Sequence, residues 1–462
     1  MAIYKARLPT GHLGRYKVRV PSSGGTVSDL DVTSVISGLD HPWDIAWLPD
    51  GTVLVTERPG RLNVYVDGID QAPVVIEPGD VIVNSEGGML GLEVDPSFGT
   101  NRYVYVCFCS TDDGPADVRV VRYTLNTPID SDPDRTDIVT GMPYSTGRHS
   151  GCRPRFGPDG YLWVGTGDAA IGTNPQDDNS LGGKVLRVDR TGAAASGNPG
   201  GELWYSKGHR NIQGMAFRAA DDLGMSAEHG PNTDDEINLL VTGNFGWDPV
   251  PGYDEDTPMT DLGKFPSAIE AVWSTGSPTL AYCGATFIEG AQWANWDGVL
   301  AVATLKAQHL HIYFVDGAGD VTDGGRWIED RGRLRSPRMG PDGLLYVTTD
   351  GGGTSGEVLR VSPIGPTGFL GRYKVLTSTE LATTEAITID MTGGTGIGAS
   401  WTLRDTGGIV ATGTTSTGPV QYPFETYDLT WEDTAFAYIP PPVEGPIVLT
   451  LNNPITFGPL TP

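Results

Sequence analysis

One pattern organises the chain: a short polar turn built on Pro, Asp and Gly, followed by a run of mostly apolar and β-branched residues. It reads Leu48-Pro49-Asp50-Gly51-Thr52-Val53-Leu54-Val55, then Gly157-Pro158-Asp159-Gly160-Tyr161-Leu162-Trp163-Val164, then Gly340-Pro341-Asp342-Gly343-Leu344-Leu345-Tyr346-Val347. Weaker copies fill the gaps: Asp95-Pro96-Ser97-Phe98 ahead of 103–109, Ala220-Asp221-Asp222-Leu223 ahead of 224–226, and Trp296-Asp297-Gly298 ahead of 299–304. Pro-Asp-Gly is hairpin-turn chemistry. Six copies at spacings of roughly 45 to 75 residues predict six units of four short antiparallel strands. A closed ring of such units leaves only short, protected edges. The predicted fold class is therefore all-β, a six-bladed β-propeller over residues 37–364.

The flanks break this pattern. Residues 1–36 read as an N-terminal arm or docking segment. Residues 365–462 are rich in Thr and Gly, with strand-like runs at 386–391, 399–403 and 447–451, and read as a separate β-sandwich-like module. The hexamer Leu13-Gly14-Arg15-Tyr16-Lys17-Val18 recurs unchanged as Leu370-Gly371-Arg372-Tyr373-Lys374-Val375, one copy on each side of the propeller. It reads as a duplicated strand or docking element.

Composition narrows the function classes. Of 462 residues, Gly 64 and Pro 35 together make about a fifth, twice the usual share, which excludes a mostly helical protein. Lys+Arg 31 against Asp+Glu 57 gives a net charge of −26 with no basic block, so nucleic acid and anionic membrane surfaces are poor partners. Residues 1–11 lack the apolar core of a secretory signal, and no run approaches the ~18 apolar residues of a membrane span. The expected location is extracellular as part of a virion or surface assembly, and otherwise cytoplasmic. Among the Cys 4, Cys107 and Cys109 share one face of a strand-like run and do not easily bridge each other. No disulfide framework and no zinc-type CxxC is predicted.

His149 stands out among the histidines, because Gly147-Arg148-His149-Ser150-Gly151 precedes a blade turn and Asp168 follows one strand later in Thr166-Gly167-Asp168. That pairing suits an imidazole held in one tautomer as a general base. Gly208-His209-Arg210-Asn211-Ile212-Gln213-Gly214 combines an obligate cation with amide donors suited to a carboxylate-bearing or quinone-like ligand. The acidic stretch Glu228-His229-Gly230-Pro231-Asn232-Thr233-Asp234-Asp235-Glu236, with Asn244-Phe245-Gly246-Trp247 and Gly252-Tyr253-Asp254-Glu255-Asp256 after it, offers the hard oxygen ligands that Ca²⁺ prefers. His309 and His311 alternate along a strand as a two-histidine edge. Lys306 reads as a channel-facing cation, and Arg333 and Arg335 share one facing.

At these residues the chain resembles the soluble sugar dehydrogenases of the glucose and sorbosone dehydrogenase type. The motifs are Gly38-Leu39-Asp40-His41-Pro42-Trp43, Glu57-Arg58-Pro59-Gly60-Arg61-Leu62, Glu86-Gly87-Gly88-Met89-Leu90-Gly91, the His149 and Asp168 segments, GHRNIQG and EHGPNTDDEIN. The resemblance spans about 320 residues in motif order. It implies a six-bladed propeller that uses pyrroloquinoline quinone (PQQ) and Ca²⁺ to oxidise an aldose to its lactone. Carried over by motif, His149 is the base that takes the sugar hydroxyl proton and Asp168 orients it. Glu86, Arg210, Asn211, Lys306, Arg333 and Arg335 contact PQQ. The carbonyls of Gly230 and Pro231, with Asp235 nearby, hold the Ca²⁺ that polarises it, and Glu236, the Phe245 carbonyl and Glu255 form a second calcium site. Three positions depart from the family pattern: Glu86 replaces Gln, Ser336-Pro337 replace Asp-Val after Arg335, and Cys152 stands where Gly is commoner.

The alternative expectation is a non-catalytic carbohydrate-binding or structural virion protein, such as a bacteriophage minor tail component. It would recognise a surface glycan with the propeller and contact other tail proteins through residues 1–36 and 365–462.

Overall fold

Three of the Pro-Asp-Gly phrases fold alike in the computed structural model. In each, the Asp carboxylate accepts the N–H two residues on (Asp50 to Thr52 at 3.0 Å, Asp159 to Tyr161 at 3.1 Å, Asp342 to Leu344 at 3.0 Å). The Gly that follows takes φ of +92°, +78° and +72°, a left-handed conformation that closes the hairpin without a Cβ penalty. The structure describes residues 26–364 except 67 and 113, and outside that range only the backbone of short strands.

All six turns join the first to the second strand of a four-stranded blade. Blade one is Pro42–Trp47, Val53–Glu57, Arg61–Tyr65 and Val74–Ile76; blade two is Met89–Val94, Tyr103–Ser110, Asp117–Thr124 and Asp134–Pro143. Blade three is Gly151–Phe156, Leu162–Thr166, Lys184–Val188 and Trp204–Lys207, with Gly243–Asn244 added in parallel at its edge. Blade four is Ile212–Phe217, Gly224–Glu228, Glu236–Leu239 and Trp273–Ser274; blade five is Tyr282–Phe287, Leu300–Thr304, Leu310–Val315 and Val321–Trp327. Blade six takes Leu334–Met339, Leu345–Thr349 and Gly356–Ile364 from the end of the propeller and its fourth strand, Asp29–Leu39, from the beginning. Each first strand packs on the next around the ring, and that of blade six packs on that of blade one. The chain thus forms the six-bladed β-propeller that the repeat predicts. It begins at Asp29 and not at residue 37, because the N-terminal strand completes the last blade.

In the flanks, Ile3–Ala6 joins a six-stranded sheet with Ile447–Leu451, Phe436–Ile439, Tyr427–Trp431, Ser400–Asp405 and Gly408–Thr414. Of the two hexamer copies, Arg15–Tyr16 and Tyr373–Lys374 are described as short strands paired antiparallel with each other. The rest of each copy lies outside the described residues, as does most of the expected C-terminal module.

In every blade the register between first and second strand slips near the start of the first strand. A bulge re-aims a side chain and bends the strand. Several polar side chains on these first strands meet at the ring axis. The fully buried Asp44 of blade one accepts N–H bonds from Ile45 and, across the blade boundary, from Leu92, and it meets Arg153 at 2.8 Å and Arg155 at 3.0 Å from blade three. Burial alone would raise its pKa, but the two guanidiniums hold it well below the usual carboxylate range. Burial pushes Arg153 down to about 9 in spite of Asp44. The Arg153 guanidinium also lies 4.0 Å from the Trp43 ring centroid. Glu93 of blade two bonds Arg338 of blade six at 2.8 Å, and the Ser336 hydroxyl donates to the Trp43 carbonyl at 2.7 Å, joining the last blade to the first.

Cys107 and Cys109 do not bridge each other. Cys107 of blade two instead forms a disulfide with Cys152 of blade three (Cα–Cα 6.0 Å), a bond that strand spacing could not reveal because it joins neighbouring blades. A loop of 45 residues is closed, worth about 4 kcal/mol on chain-entropy grounds. Cys109 and Cys283 are free and buried, and burial pushes the Cys283 thiol up to about 11.

Two outcomes follow for the fold. Asp44→Ala strands a buried Arg153, so the stability measured by urea denaturation falls by about 3–5 kcal/mol; a loss below about 1 kcal/mol would show that the axial pair is not needed. Peptide mapping without reductant recovers one Cys107–Cys152 bridge, with Cys109 and Cys283 alkylated only after unfolding.

Candidate active site

The segments that precede the first strands of blades two, three, four and six carry Glu86, His149, Arg210 with Asn211, and Arg333. Hydrogen bonds join the first three of these segments. The His149 N–H donates to Glu86 Oε2 at 3.1 Å, the Asn211 amide donates to the same oxygen at 3.5 Å, and the Asp168 N–H donates to the Arg210 carbonyl at 2.8 Å. A Cβ at Gly167 would overlap the His149 carbonyl, so the close approach of these strands requires glycine there.

His149 is 3 % exposed. Its Nδ1 lies 2.8 Å from Asp168 Oδ1 and 2.9 Å from the Tyr253 hydroxyl. Asp168, fully buried, accepts three further bonds: from the Ala170 N–H at 2.7 Å, the Trp247 indole N–H at 2.9 Å and the Tyr253 O–H at 2.7 Å. An ionised carboxylate only accepts, so the proton between Asp168 and His149 belongs to Nδ1. His149 Nε2 then presents its lone pair, and no hydrogen bond to it occurs among the described residues. Burial, with Asp168 as the next cause, raises the Tyr253 phenol well above its usual range, which keeps it a donor to Asp168.

Arg210 is buried, donating to the His229 carbonyl at 2.8 Å and to Glu255 at 2.9 Å. Arg333 and Arg335 share Asp350 at 3.0 and 2.9 Å, as their common facing predicts, and Arg335 also donates to the Gln213 side chain at 2.9 Å. Burial would raise the pKa of Asp350, but Arg335 and then Arg333 hold it at about 2. Lys306 is exposed, its backbone N–H on the Leu280 carbonyl.

The predicted metal residues divide. Asp235 is saturated by the Gly230 N–H at 2.9 Å, the Thr279 hydroxyl at 2.6 Å and the Leu280 and Ala281 N–H groups at 2.5 and 2.8 Å. It therefore shapes the turn at Gly230, whose carbonyl lies 2.5 Å from His229 Nδ1. Glu236 and Glu255 have different partners. Glu255 bridges Arg148 and Arg210, each at 2.9 Å, whereas Glu236 is buried with Asn238 at 3.2 Å and Thr260 at 3.4 Å. Burial and the neighbouring Glu228 push Glu236 up to about 8. The Phe245 ring packs 4.5 Å from that of His209. His309 and His311 bond each other at 3.1 Å, and His311 bonds Asp323 at 2.8 Å.

The sequence placed Glu228, Trp247 and Tyr253 only within the acidic stretch, without these roles, and did not point to Asp350. The repeat held a signal for two of them. In four blades an acid sits at or just after the end of the second strand and holds the segment that leads into the first: Glu57 takes the Asp40 N–H, Asp168 takes His149, Glu228 takes His209 at 2.9 Å, and Asp350 takes Arg333 and Arg335. His209 is thus the blade-four counterpart of His149, but its Nε2 is spent on Ser206 at 2.8 Å.

Residues 39–360 match the family model described as Glucose / Sorbosone dehydrogenase. The chain belongs to the glucose/sorbosone dehydrogenase family. Among its relatives in that family, the aldose sugar dehydrogenase of Escherichia coli is 34% identical over 350 residues, 70% of this chain and 91% of that one. The apo crystal structure of the soluble E. coli aldose sugar dehydrogenase superposes with a TM-score of 0.65 at 32% identity, covering 72% of this chain and 100% of that chain. The PQQ-bound aldose sugar dehydrogenase of Streptomyces coelicolor gives 0.61 at 27% identity, covering 73% and 100%. The family is thus one of PQQ-dependent sugar dehydrogenase propellers. These comparisons give the virion expectation no support, and residues 1–36 and 365–462, on which it rests, lie largely outside the described ones. No helix among the described residues is long and apolar enough to cross a membrane.

Imidazole ¹⁵N spectra will show His149 as the Nδ1–H tautomer, and Asp168→Asn will mix or invert the tautomers. An Nε2–H signal in the unaltered protein would contradict the assignment.

Proposed function

We propose that the protein oxidises an aldose at its anomeric carbon to the lactone, using PQQ and Ca²⁺. The observation that carries this reading is His149, an imidazole with a free Nε2 backed by a buried carboxylate that accepts four hydrogen bonds. Removing the anomeric hydroxyl proton is the step that calls for such a base. Nε2 accepts the proton, and Asp168 stabilises the imidazolium that results. When bound, PQQ supplies the acceptor for the two electrons and the hydrogen lost from the carbon, and Ca²⁺ the Lewis acid beside it.

The residues present suit an anionic, acceptor-rich cofactor. Buried Nε–H groups of Arg58, Arg210 and Arg335 have no hydrogen-bond partner. Arg210, Asn211, Arg333, Arg335 and Lys306 would hold the cofactor's carboxylates and carbonyls. Glu86 is the opposing charge, and the His149 N–H and the Asn211 amide pair it. The Gly230 and Pro231 carbonyls would take the Ca²⁺ beside the cofactor. Glu236 is the buried acid that a second ion would ionise.

Chelator-treated protein given Ca²⁺ and PQQ will oxidise aldoses in a dye-linked assay. His149→Ala will lower turnover by about 10³-fold while PQQ titration still saturates. Failure to bind PQQ, or turnover unchanged in the variant, would overturn the reading. Ca²⁺ alone will raise the melting temperature of chelated protein, and Glu236→Gln will remove most of that rise; a rise unchanged in the variant would place the ion elsewhere.

A further inference from the structure

The segment that carries His149 has an unusual backbone. Residues Gly147, His149, Gly151 and Cys152 have φ of +84°, +50°, +56° and +63°, and only two of the four are glycine. A left-handed backbone disfavours residues with a Cβ and persists only where the surroundings enforce it. On one side Asp168 and Tyr253 hold the His149 ring, and the His149 carbonyl accepts the Ala169 N–H at 3.3 Å. On the blade-two side the tethers are Glu86 on the His149 N–H, Cys109 Sγ at 3.5 Å from the Ser150 hydroxyl, and the disulfide. Cys152 occupies the bulge between the paired residues Gly151 and Arg153, and it is fully buried with Cys107. The bridge therefore fastens the bulge three residues from the base to the second strand of blade two.

We propose that the Cys107–Cys152 disulfide positions His149: it enforces the left-handed bulge at residue 152 and so aims the imidazole. Its role as a pair of positioning residues rests on the dehydrogenase reading above. Because the bridge is fully buried, it is a fixed brace. A glycine at 152 adopts the same backbone without a tether. The two halves of the device are therefore separable: breaking the bridge mis-aims the base, and Gly at 152 restores the aim without restoring the cross-link.

The test compares the unaltered protein, Cys107→Ala, and Cys107→Ala with Cys152→Gly, in dye-linked turnover and in thermal melting. Cys107→Ala is expected to lower kcat by about tenfold or more, with the sugar KM and PQQ affinity within about twofold. The double variant is expected to recover kcat to within about threefold while its Tm stays as low as that of the single variant. A purely structural bridge would make kcat follow Tm, leaving the double variant no more active than the single one, and that result overturns the proposal. So does full activity in Cys107→Ala. If Cys107→Ala does not fold, Cys107→Val, which fills the vacated space, takes its place. If the unaltered protein turns over no sugar, the dehydrogenase reading fails. The positioning is then decided by the His149 imidazole ¹⁵N shifts, displaced in Cys107→Ala and restored in the double variant if it holds, unmoved if it does not.

Discussion

Closing a ring of separate sheets leaves the innermost strands with no sheet partner across the blade boundary, so side chains must supply the polar links at the axis. Asp44 is the centre of that supply. It takes a backbone donor from blade two and two arginines from blade three, while Glu93, Arg338 and Ser336 carry the same links to the last blade. In so dry a place the desolvation cost of each charge is offset only by a well-placed partner. Apolar contact between blades has no such directionality, which is why the axis is polar in a protein whose blade cores are made of Val, Leu, Ile and aromatic residues.

The active end of the ring uses the same logic with a different result. An acid near the end of a second strand recurs in four blades, and in each it holds a segment leading into a first strand. Blade one spends its acid on structure, blade four on a histidine capped at both nitrogens, and blade six on two arginines. The histidine of blade three keeps its Nε2 without a hydrogen bond among the described residues, whereas that of blade four does not. Here Tyr253 and Trp247 arrive from the blade-four loop to saturate the carboxylate that holds the imidazole.

The sequence by itself determined the architecture and the pairing of His149 with Asp168. Pro-Asp-Gly turns act through local bonds, two residues apart, so their recurrence counted six blades before any long-range contact was known. The same locality made Arg333 and Arg335 legible as a pair with one facing. His149 and Asp168 lie 19 residues apart and flank a single hairpin, so their meeting needed only one blade to fold.

What only the tertiary structure decided involves partners from different blades or from opposite ends of the propeller. The ring closes with a strand that begins at Asp29, the disulfide joins blades two and three, and Tyr253 reaches His149 across 104 residues. No local rule sets these encounters. They depend on the curvature of the ring, on bulges that re-aim single side chains, and on which loop of one blade overhangs the next. Asp235 and Glu255 illustrate the limit: their residue type suits a cation, yet the fold surrounds one with four donors and the other with two guanidiniums. A carboxylate's role is set by the donors that reach it, and those are fixed only when the chain has folded.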